Sequence, residues 1–227
     1  MSDRDAILER ITAVRQRIAG AGADPARVRI VAVSKGFGPG VAQTAVSAGH
    51  VDLGENYAQD LVAKASAVEP GPAGPPRWHF VGGVQRNKVT KLAPLVDLWH
   101  TVDRADLGRA IARHAPGAGV LVQVNVTGES TKGGCEPAAT GPLVDELRAV
   151  DLDVRGLMTI GRLGDADASR EGFARLAAIA RELGLEELSM GMTDDLQEAV
   201  AEGATLVRVG TAIFGPRPRK TAGDVRH

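Results

Sequence analysis

The sequence predicts an α/β fold, a single (β/α)8 TIM-type barrel with an extra N-terminal helix. Three observations carry that expectation. Short apolar runs recur along the 227 residues with a period of roughly 25 to 30, the size of one strand-helix unit. The stretches between them pattern as helices, and several stop at glycine, as helices often do. The first apolar run, VRIVAVSK, ends on Lys35, and in such barrels the C-terminal strand ends and the loops after them build the site. An open doubly wound sheet is the competitor. It rarely needs eight such regular units and usually carries a Gly-rich first turn, which SKGFGPG only faintly matches.

Taken in order, the opening MSDRDAILERITAVRQRIAG places Ile7, Ile11, Val14 and Ile18 on one helical stripe, so residues 1–21 read as the extra helix. Charges run through it, which excludes a signal peptide or a membrane span. The strands are expected at Val28–Ser34, His50–Glu55, Trp78–Gly82, Asp97–Val102, Val120–Val126, Val154–Ile160, Glu187–Met192 and Thr205–Gly210. Helices fall on AQDLVAKASAV, RADLGRAIARHA, GPLVDELRAV, SREGFARLAAIARELG and DDLQEAVAEG. EPGPAGPP (Glu69 to Pro76) reads as a stiff surface loop rather than a domain linker. The chain 1–227 is thus one domain, with a basic, flexible tail expected over 216–227.

Composition limits the function classes. With 44% hydrophobic and 24% charged residues the chain can bury an ordinary core. A net charge of -1 and 3% aromatic residues offer neither an electrostatic footprint nor stacking platforms for nucleic acid. The lone Cys135 excludes an internal disulfide, fits a reducing, cytoplasmic setting and is assigned no role. His50, His79, His100, His114 and His227 are too scattered to imply a metal.

Lys35 is the candidate of most interest. Strand alternation sets Val31, Val33 and Lys35 on one face and Ile30, Ala32 and Ser34 on the other. A lysine beside two valines is partly desolvated, loses protons more readily and can attack an aldehyde; the same placement also suits a lysine whose stem merely snorkels. Lys64, Lys88, Lys91, Lys132 and Lys220 lie in helical or loop-like stretches, where solvation or a phosphate contact accounts for them. Other polar residues fall at strand ends and should converge on one rim: Glu55, Asn56, His79, Asp103, Asn125, Thr159, Ser189 and Arg208. In VLVQVNV the four valines Val120, Val122, Val124 and Val126 suit the helix layer, while Leu121, Gln123 and Asn125 face the barrel axis. In TLVRVG, Leu206, Arg208 and Gly210 share a face, and Arg208 needs a dedicated partner, either a ligand or a bracing ion pair to Glu55 or Asp103.

The last two loops, SMGMTDD and VGTAIFG, supply glycines and the hydroxyls of Ser189, Thr193 and Thr211, features of a phosphate cradle and equally of helix caps and turns. An aldehyde-reactive amine and a phosphate cradle on one rim describe a pyridoxal phosphate site or a Schiff-base sugar-phosphate aldolase.

VAVSK (Val31–Lys35), GENY (Gly54–Tyr57), WHFVG (Trp78–Gly82), QVNVTGESTKGG (Gln123–Gly134), GLMTIG (Gly156–Gly161), LSMGMTDD (Leu188–Asp195) and VRVGTAIFG (Val207–Gly215) occur in the order seen in the pyridoxal phosphate homeostasis protein family, which the chain resembles through nearly its whole length. Proteins of that family look like the barrel domain of alanine racemase standing alone. The resemblance implies the cofactor pyridoxal 5'-phosphate, held by Lys35 as a Schiff base, with Arg208 beside the pyridine nitrogen. It implies Ser189, Gly210 and Thr211 around the phosphate and Asn56, His79, Met158 and Met192 along the ring. A guanidinium there stays protonated, so the ring nitrogen does not, and the cofactor is left a poor electron sink.

The implied function is a carrier or regulator of vitamin B6 inside the cell, without established turnover, delivering to pyridoxal phosphate-dependent apo-enzymes. A low-activity amino-acid racemase is the alternative and the aldolase the second. The chain departs from the family's pattern at Gly83, Val84 and Arg86. A lone barrel needs no partner to close its core, so a monomer is expected.

Overall fold

The structure is a computed structural model that describes residues 2–129 and 131–216; the predicted tail lies outside the described residues from 217 onward. Eight parallel strands close into a barrel in sequence order, with β8 hydrogen-bonded back to β1. They are β1 (Arg29–Val33), β2 (Asp52–Glu55), β3 (Arg77–Phe80), β4 (Leu98–Val102), β5 (Gly119–Gln123), β6 (Asp153–Met158), β7 (Glu187–Ser189) and β8 (Leu206–Val209). The helices are α1 (Asp3–Gly20), α2 (Pro39–Ser47), α3 (Ala58–Ala65), α4 (Val89–Leu92), α5 (Ala105–His114), α6 (Thr140–Ala149), α7 (Ala166–Glu182), α8 (Leu196–Ala201) and α9 (Thr211–Phe214). The expected barrel and its extra N-terminal helix are both present.

Alternation along the strands sorts side chains into two cores. Outward residues such as Ile30, Ala32, Val120, Val122, Val207 and Val209 join the large layer between sheet and helices. Inward residues Val31, Leu98, Leu121, Met158 and Leu206 form a small separate cluster inside the barrel. The division of β1, β5 and β8 read from sequence therefore holds.

Helix α1 starts at a capping box, Ser2 Oγ accepting from the Asp5 amide at 3.2 Å and Asp5 Oδ2 accepting from the Ser2 amide at 3.1 Å. It buries the predicted stripe of Ile7, Ile11, Val14 and Ile18 against the barrel's helices. Two arginines on this helix reach the rim. Arg17 donates to the Thr193 carbonyl at 2.7 Å, after β7, and Arg10 to the Ile213 carbonyl at 3.1 Å, after β8.

Several strands are shorter than expected, for local reasons. β1 stops at Val33, so Lys35 lies in the turn that follows it. β7 stops at Ser189 because Gly191 turns the chain with φ +87, a conformation only glycine adopts freely. The Val124 amide still donates to Met158 of β6 at 2.9 Å; beyond it the chain pairs with its own loop, the Asn125 amide donating to the Cys135 carbonyl at 2.9 Å. In the loop that departs from the family pattern, Arg86 donates to Asp106 at 3.1 Å, tying it to the start of α5.

Candidate functional site

A pocket of about 200 Å³ opens at the C-terminal ends of the strands. Lys35, Asn56, Met158, Met192, Arg208, Gly210 and Thr211 all line it. Val33, Phe37, Val81 and Ile160 add apolar walls, and Thr193 and Asp194 come from the loop after β7. Thr193 carried a signal in its hydroxyl beside glycine; Phe37 and Ile160 carried none, since an apolar residue just past a strand reads as ordinary core.

Two predicted residues sit below the pocket instead of in its wall. Ser189 is fully buried, its Oγ accepting from Arg208 Nη1 at 2.7 Å and lying 2.8 Å from His100 Nδ1. His79 is 2% exposed and points down the barrel axis, with Nε2 3.0 Å from Asp52 Oδ1 and Nδ1 2.9 Å from His100 Nε2. β7 ends on Ser189 and β3 carries His79 near its middle, so both side chains meet the interior layer before the rim.

Arg208 is the pocket's buried cation. Nη1 donates to the Ser189 carbonyl and hydroxyl, both at 2.7 Å, and Nη2 to the Thr159 carbonyl at 2.7 Å. Burial brings its pKa down to about 10, partly opposed by the Asp195 charge, which still leaves it charged at neutral pH. These acceptors are neutral oxygens, so the bracing ion pair to Glu55 or Asp103 does not form. Asp103 instead accepts from Arg104 at 2.6 Å.

Glu55 corrects a second expectation. Its side chain points outward, to a buried cluster in which Lys64 donates to the Glu55 carboxylate and to the Ser34 carbonyl, the latter at 2.8 Å. The Ser34 hydroxyl donates to the same carboxylate at 2.6 Å. Lys64, expected in solvent, is 2% exposed. Burial pushes the Glu55 carboxyl above its ordinary value, with the bonds from Lys64 and Ser34 pulling it back. Asn125 and Thr159 also serve structure: Asn125 Nδ2 donates to the Glu129 carbonyl at 2.9 Å and Thr159 Oγ1 to the Val124 carbonyl at 2.7 Å.

The pocket suits a small, flat, anionic aldehyde. Its lining is largely apolar, with Lys35 and the buried Arg208 as its two basic residues among those described. Asn56 Oδ1 is buried there without a hydrogen-bond partner among the described residues, an orphan that a bound group would satisfy. Gly82 sets the place of Asn56: a Cβ on Gly82 would collide with the Asn56 carbonyl. A larger cleft of about 680 Å³ lies at the opposite, N-terminal strand ends. Among the described residues no lysine lines it, and two of its arginines are already engaged, Arg77 with Asp52 at 2.6 Å and Arg29 with Glu187 at 3.8 Å. The smaller pocket is therefore the candidate site.

Curated relatives of the whole chain share one description. The chain is 39% identical over 212 residues to the pyridoxal phosphate homeostasis protein of Pseudomonas aeruginosa, covering 90% of this chain and 91% of that one. With that of Deinococcus radiodurans it shares 40% over 209 residues, covering 90% and 97%. The chain belongs to the pyridoxal phosphate homeostasis protein family. The broader family profile, described as the alanine racemase N-terminal domain, matches residues 2–218.

Among solved structures, PipY of Synechococcus elongatus with PLP bound is 33% identical with a TM-score of 0.77, covering 89% of this chain and all of that one. Alanine racemase of Corynebacterium glutamicum, at 18% identity and a TM-score of 0.67, shares the fold, with this chain spanning 62% of its length. Among the described residues no helix is long and apolar enough to cross a membrane.

Proposed function

We propose that this protein binds pyridoxal 5'-phosphate in the rim pocket as a Schiff base on Lys35 and holds it as a carrier in vitamin B6 homeostasis. The observation that carries the reading is the convergence of the Lys35 amine and the buried Arg208 cation on one apolar-walled pocket. The PLP-bound structure of PipY supports the choice of ligand. When bound, the cofactor supplies a reactive aldehyde, and every other role falls to side chains of this chain.

Arg208 would face the ring nitrogen and, being a cation, would disfavour protonation of that nitrogen. Met158, Ile160 and Met192, which line the pocket, would cover the ring and exclude water, and Asn56 Oδ1, buried without a partner among the described residues, would accept a bond at its edge. Thr193, Gly210 and Thr211 lie where the phosphate is received, on the two loops that Arg17 and Arg10 tie to α1. A cofactor with an unprotonated ring nitrogen is a weak carbanion stabiliser, which favours holding over turnover.

In this reading the protein acts as a cytoplasmic monomer that passes the cofactor to apo-enzymes requiring it. Lys35→Ala should remove the Schiff-base absorbance seen when pyridoxal phosphate is added to the wild type, and a mutant that keeps the band overturns the assignment. Chiral analysis after incubating loaded protein with alanine and serine tests the carrier role. No sustained racemisation is expected, and continued turnover would make it an enzyme.

A further inference from the structure

Beneath the pocket, four side chains connect Arg208 to the far end of the barrel. Arg208 Nη1 is 2.7 Å from Ser189 Oγ, which is 2.8 Å from His100 Nδ1; His100 Nε2 is 2.9 Å from His79 Nδ1, and His79 Nε2 is 3.0 Å from Asp52 Oδ1. Ser189 and His100 are fully buried and His79 nearly so, so the links from Arg208 to His79 are closed to bulk water, while Asp52 borders the cleft at the N-terminal strand ends. The two imidazoles meet edge to face, their ring centroids 5.1 Å apart. Asp52 also accepts two bonds from Arg77, at 2.9 and 2.6 Å.

The two ends fix how the protons are shared. A guanidinium only donates and an ionised carboxylate only accepts. Arg208 therefore donates to Ser189 Oγ, and His79 Nε2 donates to Asp52. Between them the remaining links are each satisfied by one proton when the Ser189 hydroxyl donates to His100 Nδ1 and His100 Nε2 donates to His79 Nδ1. Both rings are then neutral, with the proton on Nε2. An added proton on His79 would make Ser189 Oγ accept twice and leave its own hydroxyl proton to find another acceptor in a closed interior.

We propose that His100 and His79 are positioning residues for Arg208, acting through Ser189 in a hydrogen-bonded chain that runs in one direction from the guanidinium to the Asp52 carboxylate. The chain turns Ser189 Oγ into an acceptor aimed at Nη1 and so sets the angle at which the guanidinium faces the pocket. Its role at the pocket rests on the functional reading above; the proton positions do not.

Two measurements test it. In 15N-labelled protein without added ligand at pH 8, long-range nitrogen-proton correlation spectra should show His79 and His100 neutral with the proton on Nε2, the signals assigned from His79→Gln and His100→Asn. A proton on Nδ1 of either ring, or a cationic ring, overturns the chain. In titrations with pyridoxal phosphate, His100→Leu and Ser189→Ala should each weaken binding about tenfold, as loss of a bond to a charged group does. The double variant should be no weaker than either single one. His100→Asn, whose Oδ1 keeps an acceptor near the position of Nδ1, should recover most of the loss. Additive losses, or an asparagine no better than leucine, contradict positioning through Ser189. If the wild type takes up no pyridoxal phosphate, the functional reading falls while the ring protonation still decides the chain. If His100→Leu does not fold, the wild-type spectra decide it.

Discussion

Lys64 and Glu55 form a buried ion pair against the carbonyl of Ser34, the residue before Lys35. The pair couples α3 to the turn that presents the candidate nucleophile. Both side chains are almost wholly enclosed, at 2% and 0% exposure, so removing one partner strands the other's charge in the interior. Lys64→Met should cost about 3–5 kcal/mol of unfolding free energy in urea denaturation, and Lys64→Met combined with Glu55→Leu should recover much of it. A single variant as stable as the wild type would show that the charges are not paired.

The grip of α1 on the rim is a separate target. Arg17 holds the Thr193 carbonyl and Arg10 the Ile213 carbonyl, so the two loops that would receive a phosphate are braced from one helix. Arg17→Ala should weaken pyridoxal phosphate binding several-fold while lowering stability by about 1 kcal/mol or less, the scale of one hydrogen bond. Unchanged affinity would mean that the loop keeps its place without the arginine.

Gly82 should tolerate no side chain. Because its Cβ would strike the Asn56 carbonyl, Gly82→Ala must push Asn56 out of the pocket wall. The expected cost is about 1–3 kcal/mol in thermal or urea unfolding, as for other overpacking changes, together with weaker ligand binding. Gly83→Ala, with open space around its Cβ, is the control and should leave binding intact.

Acid should weaken the fold starting well above the carboxylate range. Burial first, with the Arg208 and Arg29 charges adding to it, holds His100 well below the ordinary histidine value; burial also lowers His50, against the pull of Asp52. Both hold a proton less readily folded than unfolded, so below about pH 6.5 the unfolded chain takes up protons ahead of the folded chain. Stability is therefore full above that pH and falls as pH drops, by up to about 1.4 kcal/mol per unit for each histidine.

Glu55, raised by burial, works the other way, because as pH falls the folded chain takes up that proton before the unfolded chain does. Asp52 adds a further loss below its unfolded value of 3.8: burial would raise it, but the bonds from His79 and Arg77 bring it to about 2. Urea midpoints should fall between pH 7 and pH 5, less steeply in His100→Asn. A flat profile over that range would contradict a neutral His100.

The barrel was legible because each strand is a short apolar run, and the period of the runs is a property of sequence alone. So were Lys35, Arg208 and the rim loops, whose residue types are unusual for strand ends. The fate of polar residues inside the fold was not legible. Glu55 and Asn56 are neighbours, yet one points into the helix layer and the other lines the pocket, and a one-residue error at a strand end reverses that choice. Lys64 looked solvated because nothing in AQDLVAKASAV reveals that Glu55 lies across from it. His79 and Ser189 hydrogen-bond to His100 inside the barrel, and depth along the barrel axis depends on strand stagger, which local patterning does not encode.

The most direct test of the central claim is borohydride reduction of the protein loaded with pyridoxal phosphate, followed by peptide mapping of the fixed label. A single adduct on Lys35 is the predicted result. Label on another lysine, or spread over surface lysines such as Lys88 and Lys91, would mean that the rim pocket does not hold this cofactor through Lys35.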